Sequence, residues 1–354
     1  MMEMKKRTSY PLGMFDLIKG FGIIQIILRH SVVVPKTNEA IIFIVFAWGF
    51  ALMGTFYAVN GFDTREYSMK KAIQKSAALY LRPYVYVTAI ALVLFPLVRT
   101  MMYSCFPYFL SETKAFFVTF VLGQFYPVKI GNIETKTVIV VWFFLALFWG
   151  TIILNGVLKI KNTKIRHLCI LAIALVGILL EENEFGLFCI FRGCQAVPVM
   201  YIGHSLKHRN FESRKMHAGD VVLWIIVIVL LSLERIYEYS MKEWHVHTLL
   251  RVLLECVLGY YAILISVKTL TWENPFTEAI RKIGRYSYWI MCVHFVEEIC
   301  IAWFNVPQYF EGHQNLCFVV IVLMRSGIIF AGCMIIKAFK SRMRRKKALK
   351  QRRM

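Results

Sequence analysis

Four side chains capable of chemistry lie in one apolar stretch near the start of the chain, FDLIKGFGIIQIILRHS, Phe15 to Ser31. Asp16, Lys19, Arg29 and His30 each cost roughly 2.5–3.5 kcal/mol at the centre of a membrane helix and less near its ends. Lys19 and His30 are eleven steps apart, within about 20° of three full helical turns, so they share one face roughly 16 Å apart along the axis. Asp16 stands one turn below Lys19. One face thus carries a cation towards one end and an imidazole towards the other, a layout suited to a buried polar passage. An imidazole of ordinary pKa, about 6.5, holds a free lone pair near neutral pH, which makes His30 a candidate general base. A plainer reading stays open: Asp16 and Lys19 pair across one turn near the headgroups, while Arg29 and His30 reach the opposite interface.

Other ionisable residues fall in apolar runs: Arg82, Arg192, Arg251, Glu255, His294, Glu297, Glu298 and Arg325. Such groups normally face a bundle interior or a water-filled cavity. In YSYWIMCVHFVEEIC, His294 and Glu298 are four residues apart, so Glu298 is expected to orient the His294 imidazole. Arg325 lies in the middle of the last apolar run and needs an anion, with Glu297 or Glu298 at matching depth. A structural ion network and a transporter's charge pathway are the alternatives.

These residues need membrane-spanning helices to position them. At about 20 apolar residues per span, about ten candidates appear, at 13–34, 41–62, 76–98, 137–159, 166–181, 186–204, 219–236, 248–268, 285–305 and 316–337. The run AFFVTFVLGQFY, Ala115 to Tyr126, is too short to cross and reads as a re-entrant or interfacial helix. Basic residues collect on alternate loops: Arg65, Lys70, Lys71 and Lys75; Lys159, Lys161, Lys164 and Arg166; Lys207, Arg209, Arg214 and Lys215; Arg281, Lys282 and Arg285. The positive-inside rule then puts both termini in the cytoplasm, which requires an even number of spans. The expected fold is an all-α, polytopic transmembrane bundle forming a single membrane domain over 1–354, with a basic cytoplasmic tail at 338–354.

Composition agrees. Of 354 residues, 58% are hydrophobic and only 18% charged, and the mean hydropathy is +0.58; a soluble domain is about a quarter charged. The net charge of +21 sits in loops and in the run from Lys337 to Arg353, where it reads as a topology signal touching anionic lipid. A nucleic-acid partner is not expected. The nine cysteines lie mostly in apolar runs without CxxC or metal-ligand spacing, so neither a disulfide framework nor a metal is expected. Lys5, Lys6 and Arg7 precede an apolar stretch interrupted by Asp16 and Lys19 with no cleavage site, which reads as a retained first helix.

The order of motifs resembles the acyltransferase-3 family of integral-membrane acyltransferases. Asp16 and His30 match its first helix, with Lys19 where that family has Arg. Phe56-Tyr57-Ala58-Val59-Asn60-Gly61-Phe62 is similar to its next motif, with Asn60 for Ser. Lys75 and Arg82-Pro83-Tyr84 resemble its basic stretch, without the usual Arg pair. Trp142-Phe143-Phe144-Leu145, and Tyr286-Ser287-Tyr288 followed by His294, resemble later segments. The resemblance implies transfer of an acyl group, most often acetyl, from acyl-CoA as co-substrate to a hydroxyl of a sugar or surface glycan at the cell membrane, with no tightly bound cofactor. It implies His30 and Asp16 as catalytic residues. Lys19, Lys75 and Arg82 would bind the CoA phosphates, with Lys19 keeping the charge of Arg but losing its fork. Arg192, His294, Glu298 and Arg325 are substrate or oxyanion candidates. Trp142, Trp149 and Trp303 are candidate sugar-stacking residues, although tryptophans at helix ends are more often interfacial anchors. Two non-enzymatic readings remain: a glycan or lipid-linked-sugar exporter using the same passage, and a sensor or scaffold.

Overall fold

A computed structural model describes residues 13–32, 52–103, 106–138, 140–207, 217–223 and 246–352, together with positions 34, 41, 45, 225–227 and 229–230. Its longer described elements are helices: α1 (Asp16–Val32), α2 (Leu52–Asp63), α3 (Met69–Ser76), α4 (Arg82–Tyr103), α5 (Phe106–Leu122), α6 (Trp142–Leu158), α7 (Thr163–Glu182), α8 (Ile190–Lys207), α9 (Val246–Lys268), α10 (Pro275–Cys300) and α11 (Gln314–Arg352). A π-helical turn, Ala77–Leu81, joins α3 to α4 without a break. Among the described residues, strand structure is confined to a small antiparallel ribbon of Lys129–Ile130 (β1) and Ile133–Glu134 (β2). The all-α expectation holds.

Four helical segments are long and apolar enough to cross a membrane: Met69–Tyr103, Thr163–Glu182, Thr248–Lys268 and Gln314–Arg342. A fifth results if α10 and the 3-10 helix Trp303–Phe310, bent by 67° from it, form one broken span. Their outer faces match a lipid environment, with Val93, Leu323, Phe330 and Ile335 all exposed in segments that have no need of water. This is the build of a membrane protein. Most of the other expected spans are shorter helices: α1 and α6 have 17 residues each. Most of the first part of the expected 41–62 span and much of 219–236 lie outside the described residues. The short segment expected at 115–126 is also different, because α5 begins at Phe106. The polar residues that hid its first turns are accommodated: Thr113 donates back to the Phe109 carbonyl at 2.7 Å, and Glu112 pairs with Lys136 at 3.4 Å.

Local sequence explains the helix starts that matter most. Asn162 accepts from the Lys164 and Ile165 amides to open α7. Asn274 and Thr277 form a reciprocal capping box at the start of α10, with Pro275 in the first turn, where its missing N–H costs nothing. At the far end of α10, Arg99 on α4 donates to the Ile299 and Ile301 carbonyls at 3.2 and 3.4 Å, groups the helix leaves unpaired where it turns.

Among the helix pairs that approach backbone to backbone through glycine, two do so from both sides with a carbonyl nearest each glycine. Gly20 of α1 faces the Ile280 carbonyl of α10, while Gly284 of α10 faces the Asp16 carbonyl of α1. Gly61 of α2 and Gly203 of α8 do the same against Met200 and Ala58. A Cβ at any of these four would run into a carbonyl. The glycines fix which helices are neighbours, and α1 against α10 is the pairing that builds the site.

Candidate active site

His30 lies in the last turn of α1, and α10 carries His294, Glu297 and Glu298 beside it. The two imidazoles meet edge to face, ring centres 5.0 Å apart. His30 Nδ1 is 3.8 Å from Glu298 Oε1, just beyond a hydrogen bond. Arg325, fully buried on α11, holds both acids through one nitrogen: Nη1 donates to Glu297 Oε1 at 3.0 Å and also to Glu298 Oε2. The sequence expectation that Arg325 needs Glu297 or Glu298 is met by both.

The expected His294–Glu298 pair is corrected. His294 Nδ1 bonds Glu297 Oε1 at 2.6 Å, one residue earlier, because the Glu298 carboxylate is drawn to Arg325 and faces His30. Trp303 adds to the same acid, donating from Nε1 to Glu297 Oε2 at 2.5 Å. The 67° turn after α10 brings that indole back, and it is buried, so Trp303 is a hydrogen-bond donor inside the bundle and not an interfacial anchor. Within this otherwise paired cluster, His294 Nε2 and the Nε and Nη2 groups of Arg325 are buried with no hydrogen-bond partner among the described residues.

A cavity of about 200 Å³ opens beside His30, bounded also by Arg29, Tyr57, Trp142, Arg192 and Glu255. Its far wall is a second ion cluster. Arg192 pairs with Glu181 Oε1 at 2.7 Å, Arg251 holds Glu181 Oε2 at 2.5 Å, and Gln195 donates to the same Oε2 at 2.7 Å. The Arg192 guanidinium also lies 5.2 Å from the ring centre of Phe125 and 5.6 Å from that of Trp142, so its planar fork is held over aromatic faces. Of the candidate sugar-stacking tryptophans, Trp142 reaches the cavity. Ile26 and Met53 line it as well, and Ile26 is one turn before His30.

No family model, curated protein or solved structure matches this chain.

The remaining candidates divide between places. Asp16 begins α1, the end opposite His30, and is buried in an ion pair with Lys19 at 3.1 Å; the plainer reading of that pair is the geometry found. Asp63 lies within electrostatic reach of Lys19, Lys207 and Arg65, so Lys19 belongs to a charged cluster at the far end of α1. Lys75 is exposed, donates to the Tyr67 hydroxyl at 2.8 Å and lies 4.2 Å from that ring's centre. Arg82 is exposed at the start of α4. Asn60, at the family-like Ser position, bonds the Tyr80 hydroxyl and accepts from Thr151 at 3.1 Å, tying α2 to the π turn and α6. His30 and Arg192 therefore line the cavity, and His294, Glu298 and Arg325 are gathered beside His30. Asp16, Lys19, Lys75 and Arg82 are not. Glu181 and Gln195 escaped the sequence reading; the signal for Glu181 was the need of Arg192 and Arg251 for an anion in an apolar setting, and no spacing marks Gln195.

Proposed function

We propose that the chain is a multi-pass enzyme of the cell membrane that transfers an acyl group, most simply acetyl, from acyl-CoA to a hydroxyl of a sugar or surface glycan. The observation that carries the reading is that His30 borders a cavity whose walls combine aromatic faces with an ordered arginine. Such a mixture suits a polyhydroxylated ring, which offers both apolar C–H faces and hydroxyls. Glu298 beside Nδ1 favours the tautomer with its proton on that nitrogen, which leaves the Nε2 lone pair for the acceptor. The acceptor oxygen attacks the thioester carbonyl carbon as Nε2 takes its proton. The tetrahedral intermediate then collapses with cleavage of the C–S bond, and the imidazolium returns the proton to the leaving thiolate. General-base assistance of this kind contributes about 10²–10⁴-fold. Arg192 is the donor best placed to steady the oxyanion from across the cavity.

Lys19, with Lys207 and Arg65 near it, supplies the positive charge for CoA phosphates at the cytoplasmic end, and the pantetheine arm enters past Ile26 and Met53. Membranes containing the chain, given labelled acetyl-CoA and glycan extract, are expected to yield base-labile label on the glycan. His30→Gln abolishes that label while membrane insertion is unchanged. Equal labelling by His30→Gln removes the assignment.

A further inference from the structure

We propose that His30, His294 and Glu298 form a binding site for one divalent transition-metal ion of the zinc type. A ligating atom from each of the three lies within 4.8 Å of the others, and His30 Nδ1 and Glu298 Oε1 are 3.8 Å apart. Two ligands each about 2.1 Å from zinc lie at most about 4.2 Å apart, and about 3.4 Å apart in a tetrahedron. Closing the trio therefore takes side-chain shifts of under about an ångström. Two histidines and one carboxylate are a zinc donor set, whereas calcium and magnesium require mostly oxygen ligands.

A second, independent observation points to an ion. His294 is fully buried, its Nδ1 is committed to Glu297, and its Nε2 has no hydrogen-bond partner among the described residues. A carboxylate on one ring nitrogen with the other left open is the arrangement that supports metal-bound histidines, because it fixes the tautomer and raises the basicity of the open nitrogen. Arg325 serves Glu298 in the same way, fastening Oε2 while Oε1 faces His30. The charge is also suitable. Glu297 and Glu298 against Arg325 leave one negative charge in the cluster when both imidazoles are neutral.

The bound ion has a consequence that rests on the acyl-transfer reading. Zinc on His30 Nδ1 leaves the ring proton on Nε2, the nitrogen that must accept the acceptor's proton. Metal would then hold the site off, and chelation would release it.

Equilibrium dialysis of the chelator-stripped, detergent-purified full chain against Zn²⁺, with metal counted by mass spectrometry, tests the binding. One zinc per chain is expected, with Co²⁺ giving the absorption of a tetrahedral nitrogen–oxygen site. His30→Gln and Glu298→Gln each weaken binding at least tenfold, and Glu297→Gln weakens it about 10–100-fold through His294. Replacing His217 or His313 changes nothing. His30 is partly exposed, so His30→Gln keeps the fold, as judged by helical circular dichroism and a monodisperse elution profile. Failure of the wild-type chain to bind stoichiometric zinc overturns the proposal, as does wild-type affinity in both His30→Gln and Glu298→Gln. Zinc bound at these residues by a chain that shows no transferase activity even after chelation leaves the site standing and removes the acyl-transfer reading; transfer without zinc binding does the reverse.

Discussion

Replacing Arg325 with methionine removes a fully buried guanidinium while keeping most of its volume. The cation holds Glu297 Oε1 at 3.0 Å and also Glu298, whose side chains are 2% and 11% exposed. Breaking a buried pair from one side costs about 3–5 kcal/mol, because the partner's charge stays behind without compensation. Glu297 keeps its bonds from His294 and Trp303, so the penalty falls mainly on Glu298, and the lower half of that range, about 3 kcal/mol, is expected. Reversible unfolding in mixed detergent–SDS micelles measures it, with Trp303 fluorescence reporting the cluster directly. Adding Glu298→Gln to Arg325→Met should recover part of the loss, giving a coupling energy of about 1–3 kcal/mol in the double-mutant cycle. A loss under about 1 kcal/mol, or no coupling, means that the two acids are solvated in the membrane-embedded protein and that the buried network does not exist.

Gly284→Val should lower thermal stability in detergent and weaken zinc binding at the other end of the helix pair, since a side chain there meets the Asp16 carbonyl; unchanged melting would contradict the backbone contact. The Tyr67 phenol, in the loop before α3, is pulled below its ordinary value of 10, first by the hydrogen bond from Lys75 and then by the charges of Lys75, Arg65 and Lys71. The tyrosinate is the favoured partner of those cations, so the shift is downward. A spectrophotometric titration of wild type minus Lys75→Met should show one phenol ionising at lower pH in the wild type, and superimposable curves would count against the contact.

The sequence made some of this site legible and concealed the rest for physical reasons. Helical periodicity was enough to put Lys19 and His30 on one face, because it acts within a single element. The need of Arg325 for a carboxylate followed from the cost of a lone charge in an apolar setting. The choice between Glu297 and Glu298 for His294 did not follow, because residues three and four positions along a helix are both in reach and the decision is made by Arg325 and His30 on other helices. The pairing of Arg192 with Glu181 joins α8 to the end of α7, and no spacing rule specifies which helices meet. The extent of α5 was hidden by Glu112 and Lys114, whose charges end an apolar run on a hydropathy count although the helix carries them.

The glycine crossing of α1 and α10 makes the pair resemble scissors with the pivot near one tip. From Gly20 to His30 is ten residues, a lever of about 15 Å. A swing of about 5° about the pivot moves the imidazole by about 1.3 Å, a calculation from that same rise per residue. Small angular adjustments can thus narrow or widen the space between His30 and Glu298 while every backbone hydrogen bond in both helices stays intact.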